Sequence, residues 1–153
     1  ILAPLGCRIL IEPGRSVVGE AGVLVTSVIY VKEGEEVRFL IVDAGMNDLL
    51  RPSLYGARHE IVPVRRSDGP SFLHDVVGPI CETGDTFARG LELPLLEAGD
   101  RVVIGNAGAY GAVMASTYNT RPLVPEVLVD GGRGRAVRRR VAAADLIALD
   151  AVE

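Results

Sequence analysis

Four polar stretches at the edges of apolar runs hold the residues that could do chemistry: Glu12-Pro13-Gly14-Arg15, residues 44–57 (AGMNDLLRPSLYGA), residues 78–85 (GPICETGD) and residues 105–119 (GNAGAYGAVMASTYN). The first sets a carboxylate and a guanidinium three residues apart across a Pro-Gly turn. In the second, Pro52 can open a short helix, with Arg51 just outside it and Tyr55 one turn in. Residues four apart share a helix face. A guanidinium fork plus a phenol suits a carboxylate, which would receive two charge-assisted bonds and a third from the hydroxyl. The same residues also fit a surface arginine beside a packed tyrosine, and the sequence does not choose between the two. In the third, Cys81 follows a strand-like run and Glu82 follows it directly. A carboxylate beside a thiol disfavours the thiolate, so an accessible Cys81 suits a proton donor better than a nucleophile. Glu82 itself suits an ammonium group. A buried, inert Cys81 is the competing reading. In the fourth, Gly105, Gly108 and Gly111 bracket Tyr110 and would let backbone approach a ligand closely. This stretch has neither the GKS/GKT of a P-loop nor the G-x-G-x-x-G dinucleotide pattern.

The segments between these loops are strand-like. Residues 23–32 (VLVTSVIYVK) and 36–43 (EVRFLIVD) are rich in β-branched residues and flank the turn Glu33-Gly34-Glu35, which predicts a β-hairpin. Further strands are expected at 59–64, 75–81, 100–106, 123–130 and 135–141, with Asp130-Gly131-Gly132 turning between the last two. Residues 142–150 (AAADLIALD) predict a short amphipathic helix. Eighteen glycines fall mostly between strands, so the fold class is mainly β, a sandwich or barrel. CRILIE (7–12) is a continuous apolar run that reads as a buried parallel strand of a different unit. His59 and His74 read as ordinary surface or strand-end histidines. Asp43 and Asp85 read as turn residues rather than catalytic acids, and Met46 and Met114 as packing residues.

The chain has 153 residues, 48% hydrophobic, with net charge −4, which suits one globular domain with a core. No apolar run reaches the ~20 residues a membrane helix needs. The start lacks a signal peptide's basic region and reads like a chain cut in mid-domain. The concentrated positive charge of Arg133, Arg135, Arg138, Arg139 and Arg140 reads as a polar hairpin face, since no nucleic-acid motif accompanies it. Two cysteines, Cys7 and Cys81, and two histidines lie too far apart in sequence to suggest zinc. Between a Cys7–Cys81 disulfide and two thiols, buried or reactive, in a reducing cytoplasm, the second is favoured. Fifteen of the sixteen basic residues are arginine, and the one lysine is Lys32.

Taken together, EPGRSVVGEAG, VDAGMNDLLRPSLYGA, GPICETGD and GAYGAVMASTYNTRP resemble, in this order, the pyridoxal-phosphate decarboxylases of basic amino acids, whose barrel is of the alanine-racemase type. The resemblance implies a lyase with pyridoxal 5'-phosphate as cofactor. It implies that Glu12 pairs with the pyridine nitrogen, that Pro13, Gly14 and Arg15 lie at the cofactor phosphate, and that Arg15 also reaches the substrate. Arg51 and Tyr55 would bind a distal carboxylate, Glu82 a distal ammonium, Tyr110 both cofactor and substrate, and Cys81 would donate the proton. The family implies a cytoplasmic homodimer in which Cys81 and Glu82 reach into the partner's site, with no nucleic-acid or membrane partner. Arg51 and the Cys81-Glu82 pair point to a substrate with a second carboxylate, meso-diaminopimelate, giving L-lysine and CO2 in lysine biosynthesis. Ornithine- or arginine-type decarboxylases are the alternative, as is a non-catalytic dimerisation module derived from such an enzyme.

The chain departs from the family in having no Schiff-base lysine, because Lys32 stands in a hydrophilic turn where nothing desolvates it. The expected organisation is therefore residues 1–22 as a remnant of the cofactor-binding (β/α)8 barrel, comprising its last strand and the EPGR turn, followed by residues 23–153 as a C-terminal Greek-key β-barrel or sandwich. Such a fragment is expected to be inactive alone.

Overall fold

The computed structural model describes Pro4, residues 6–66 and residues 68–150. Its strands are β1 (Leu24–Glu33), β2 (Arg38–Val42), β3 (Ile61–Pro63), β4 (Ser71–Val77), β5 (Thr86–Pro94), β6 (Arg101–Ile104), β7 (Glu126–Asp130) and β8 (Arg133–Arg138); the helices are α1 (Arg51–Tyr55) and α2 (Ala143–Leu149). The first six strands form one sheet in the order β3-β6-β1-β2-β4-β5, and β7 and β8 form a separate hairpin. The sheet curls into a nearly closed barrel, so the mainly β expectation holds.

Alternation along the strands puts one face inside. Leu40 and Val42 of β2, Val76 of β4, and Val102 and Ile104 of β6 are fully buried, packed with Val28, Leu49, Ile61, Phe87 and Leu93. In β1 the phase changes partway. Thr26 and Val28 point inward, but the register with β2 slips between Val28 and Tyr30, so Ile29 and Tyr30 are exposed and Val31 turns back toward the core. One extra residue in a bulge shifts every later side chain to the other face.

The predicted β1–β2 hairpin forms as an antiparallel pair. The β7–β8 turn also forms: Gly131 and Gly132 have φ of 54° and 77°, the conformation that matches strand twist in a two-residue hairpin. Other expectations shift. β4 starts at Ser71 and ends at Val77, short of the predicted 75–81, because Gly78-Pro79 begins a turn and proline cannot donate to a ladder. β5, TFARGLELP, was not anticipated. Gly90, at φ 58°, lies in a bulge opposite Asp75, whose carboxylate accepts the Gly90 N–H at 2.8 Å and faces Arg89 at 3.4 Å. That bulge breaks the alternation a sequence reading relies on.

Residues 7–12 lie in no strand and are exposed, contrary to the buried-strand expectation. A parallel strand is held only by hydrogen bonds to neighbours, and none of the described strands pairs with it.

The histidines also differ from expectation: both are buried, His74 completely. His74 Nδ1–H donates to the Phe72 carbonyl at 2.8 Å, and His59 Nδ1–H donates to that of Gly105 at 2.8 Å. His74 faces the parallel-strand position of Arg38, whose guanidinium lies 4.0 Å from the Phe72 ring centroid. Burial, the largest cause, and the Arg38 charge pull the His74 pKa below the usual imidazole value, against the Phe72 carbonyl bond that raises it.

The arginine-rich hairpin is partly neutralised from within. Arg138 pairs with Glu126 at 2.8 Å, and Arg139 grips Asp145 at 2.6 and 2.9 Å. Hydrogen bonding from Arg139 holds the Asp145 carboxyl at about 2.

Candidate functional site

Helix α1 begins at Arg51, one residue earlier than Pro52 alone suggested, with Leu50 as its cap. It ends at Gly56, whose φ of 62° lets its N–H turn back to the Pro52 carbonyl at 3.0 Å while Ala57 N–H reaches that of Arg51 at 3.3 Å. The i, i+4 reading holds. The Arg51 guanidinium carbon lies 5.7 Å from the Tyr55 ring centroid and 5.8 Å from that of Tyr110. Both distances are within cation–π reach. Arg51 therefore sits between two phenols contributed by different loops. Its Nε is buried with no hydrogen-bond partner, a donor held ready for an acceptor. The Tyr55 and Tyr110 rings are exposed.

Tyr110 arrives there through a tightly wound loop. Its φ is 59° and that of Asn106 is 56°. Ala107 N–H bonds to the Gly22 carbonyl at 2.8 Å and Gly108 N–H to that of Gly19 at 3.0 Å. A Cβ on Gly22 would lie 2.5 Å from the Gly108 Cα, so the two segments touch through bare backbone.

Cys81 and Glu82 are both exposed, and no disulfide joins Cys81 to Cys7. The loop that bears them rests on α1: a Cβ on Gly84 would lie 2.7 Å from Ser53 Oγ. Glu82 Oε1 accepts the Gly84 N–H at 3.3 Å. Glu12, Pro13, Gly14 and Arg15 are exposed as well. Residues 13–16 form a turn closed by Ser16 onto the Pro13 carbonyl, with Gly14 at φ 49°, and the Arg15 side chain folds over Gly19. Among the described residues no hydrogen bond, ion pair or ring contact links Glu12 or Arg15 to the Arg51 cluster.

The loops are locked together by residues the sequence reading left in supporting roles or passed over. Asp43 Oδ1 accepts from Thr26 Oγ1 at 2.5 Å and from the Ser27 N–H at 2.8 Å, as a turn residue would. Arg121 Nε donates to Asn47 Oδ1 at 2.9 Å, and its Nη2 donates to the Asp43 carbonyl at 2.5 Å and lies 3.6 Å from the buried Asp48 carboxylate. Asn47 in turn exchanges bonds with Ser116, at 2.9 Å to its carbonyl and 3.3 Å from its amide nitrogen Nδ2. Asn47-Asp48 and Arg121 signalled this only as polar residues beside apolar runs.

A surface cavity of 510 Å³ lies beside the loops of residues 44–57 and 105–119, touching Asp48, Leu49, Gly108 and Gly111, and one of 580 Å³ lies elsewhere, between residues 63–66 and 95–101; neither is lined by Arg51, Tyr55, Cys81, Glu82 or Tyr110. The candidate site is an open face. Among the described residues there is no cluster of His, Cys, Asp and Glu fit for a metal, and no helix long and apolar enough to cross a membrane.

Comparison with known proteins places the chain in a family. Residues 16–108 match the family described as "Pyridoxal-dependent decarboxylase, C-terminal sheet domain". The diaminopimelate decarboxylase of Zymomonas mobilis is 51% identical over 92% of this chain and 33% of its own length. The crystal structure of the Helicobacter pylori diaminopimelate decarboxylase complexed with L-lysine aligns with a TM-score of 0.84 at 50% identity, over 91% of this chain and 34% of that one. The M. jannaschii enzyme in co-complex with L-lysine aligns at 0.87 with 38% identity, over 92% and 32%. The chain thus spans about a third of the length of the relatives it matches. It belongs to the pyridoxal-dependent decarboxylase family and carries that family's C-terminal sheet domain.

Proposed function

We propose that this chain is the C-terminal part of a diaminopimelate decarboxylase, which converts meso-diaminopimelate to L-lysine and CO2. The observation that carries the reading is the Arg51 guanidinium held between Tyr55 and Tyr110 with a buried, unpartnered Nε. Such a group suits the distal carboxylate of a two-headed amino acid, through a bidentate fork and a neighbouring phenol. Ornithine-type substrates have no second carboxylate to offer it.

The residues present also fit pyridoxal 5'-phosphate. Glu12 offers an exposed carboxylate that no hydrogen bond or ion pair among the described residues engages, suited to a protonated pyridine nitrogen. Among the described residues nothing lies within 4 Å of a Cβ built on Gly14, so a phosphate can approach that turn, with Pro13 shaping it and Arg15 beside it. When bound, the cofactor supplies an electron sink for the pair released as CO2 departs. This chain's residues do the rest. Arg51 and Tyr55 orient the substrate by its distal carboxylate, and Arg15 and Tyr110 hold it against the cofactor. Glu82 binds the distal ammonium, and the Cys81 thiol delivers a proton to the carbon that lost its carboxylate. Cys81 and Glu82 are exposed on this chain, as residues that enter the site of a two-fold partner must be. Residues 1–22 belong with the cofactor-binding barrel and residues 23–153 form the β-domain. Lys32, exposed at the end of β1, is not the Schiff-base lysine, so the 153 residues alone do not decarboxylate.

The test uses a full-length enzyme carrying this sequence. Arg51→Lys loses the bidentate contact and raises KM for meso-diaminopimelate about tenfold or more, the equivalent of ~1.4 kcal/mol. Glu82→Asp loosens selection for the distal ammonium. Unchanged KM and kcat in Arg51→Lys would remove the assigned role, and lysine formed by the isolated chain above the cofactor-only background would show that a separate lysine is not needed.

A further inference from the structure

The Asp85 carboxylate is 3% exposed and touches no candidate substrate group, yet it joins two of the loops that carry them. Oδ1 accepts the Met46 N–H at 2.6 Å and Oδ2 accepts the Ile80 N–H at 2.7 Å. Two glycines make the room: a Cβ on Gly78 would collide with the Asp85 carboxylate, and one on Gly45 would lie 2.8 Å from Ile80 Cδ1. Both ends of this bridge are stiff. Backbone bonds close residues 78–86 into one turn, with Gly78 N–H to Asp85 O at 2.9 Å, Glu82 N–H to Ile80 O at 2.7 Å, Asp85 N–H to Glu82 O at 3.0 Å and Thr86 N–H to Gly84 O at 2.7 Å. On the other side, Asp48 and Leu49 N–H bond back to the Gly45 carbonyl at 2.9 and 3.3 Å, and Leu54 N–H bonds to that of Leu50 at 2.9 Å, so Met46 sits in a closed turn that leads through residues 47–50 into α1.

We propose that Asp85 is a positioning residue that seats the Cys81–Glu82 loop on the turn leading into its own chain's α1, so that the segment serving one active site orients the thiol and carboxylate delivered to the other. This deepens the reading above and rests on it for the roles of Cys81 and Glu82. A carboxylate is required because both anchored groups are N–H donors. Asparagine at this position keeps one acceptor and turns an NH2 toward the second donor, and alanine keeps neither. The graded series Asp85, Asn, Ala therefore loosens the loop in that order.

The experiment measures iodoacetamide alkylation of Cys81 by peptide mass spectrometry in the full-length enzyme, well below its melting temperature, with Cys7 as internal reference. Asp85→Asn is expected to change the Cys81 rate at least fivefold and Asp85→Ala further, with the Cys7 rate within twofold of wild type. In parallel, kcat/KM for meso-diaminopimelate falls at least tenfold in Asp85→Asn. A purely structural role would lower the melting temperature and leave the Cys81-to-Cys7 ratio unchanged, and that result overturns the proposal. The thiol ratio decides the role of Asp85 even if the wild-type enzyme does not decarboxylate diaminopimelate, a result that would instead sink the functional reading. Should neither variant fold, hydrogen exchange in the wild-type protein decides: Met46 and Ile80 amides must both be protected, and an unprotected rate at either one refutes the bridge.

Discussion

Arg121 is the most informative single residue to perturb, because it clips the loop bearing Arg51 to the segment that follows Tyr110. Replacing it with alanine removes the 2.9 Å bond to Asn47, the 2.5 Å bond to the Asp43 carbonyl and the 3.6 Å approach to Asp48. Hydrogen bonds with a charged partner contribute ~1.5–3 kcal/mol each when well sheltered. Two considerations reduce the sum. The Arg121 side chain is 30% exposed, and Asp48 would keep its bonds from Gly45 N–H at 2.9 Å and Asn47 Nδ2 at 3.1 Å. Against that, Asp48 would be left as a buried carboxylate without its cation, the costly half of a broken pair. The net expectation for Arg121→Ala is a loss of about 3 kcal/mol, or roughly 6–12 °C in melting temperature for a chain of this size. Arg121→Lys keeps the charge but not the fork and should lose about half as much. Urea unfolding followed by circular dichroism measures both, with an unchanged slope showing that the same surface is exposed. A loss below about 1 kcal/mol for alanine, or equal losses for alanine and lysine, would refute the claim that the fork ties the loops together.

Two further outcomes follow from buried groups. Burial, helped by the Arg38 charge, lowers the His74 pKa below its ordinary 6.5, so as pH falls through that value the unfolded chain takes up a proton more readily than the folded chain. Stability is then fully present above that pH and falls as pH drops below it; the urea midpoint should be lower at pH 5.5 than at pH 7.5, and His74→Gln should flatten the difference. Asp85, raised by burial, acts with the opposite sign in a window opening above 3.8, where its contribution is lost as pH rises. Gly108→Ala would drive a methyl into the Val18 carbonyl oxygen and to within 2.7 Å of the Gly22 nitrogen. These are main-chain atoms that cannot swing aside, so melting should show a loss of at least ~2 kcal/mol, and a change within ~0.5 kcal/mol would mean that the two segments are not fixed against each other.

What the sequence disclosed follows from how local each signal is. Arg51 and Tyr55 were readable as a pair because i, i+4 spacing and a nearby proline suffice to place them. The β1–β2 and β7–β8 hairpins carried their own turns. β5 was hidden because Arg89-Gly90 sits in a bulge whose partner, Asp75, is fourteen residues away from Arg89 in sequence. His74 was misplaced because its burial depends on β2, and its hydrogen bond is to backbone that no pattern records. Residues 7–12 looked like a strand, but hydrophobicity cannot supply the neighbour a strand needs. Asp85 was recognisable as a turn residue, while its reach to Met46, thirty-nine positions back, was not. The family motifs marked Tyr110, but only the folded chain brings its ring to Arg51.

Among the described residues, the four non-glycine residues with positive φ, Asn106, Tyr110, Asn119 and Thr120, fall within one short stretch of the chain. Such a conformation costs a side chain with a Cβ ~1–2 kcal/mol; asparagine tolerates it best, a β-branched side chain or a bulky ring least. A chain selected for robustness alone would place glycine at position 110. Tyrosine there surrenders stability so that an aromatic ring can stand where a relaxed backbone would not hold it.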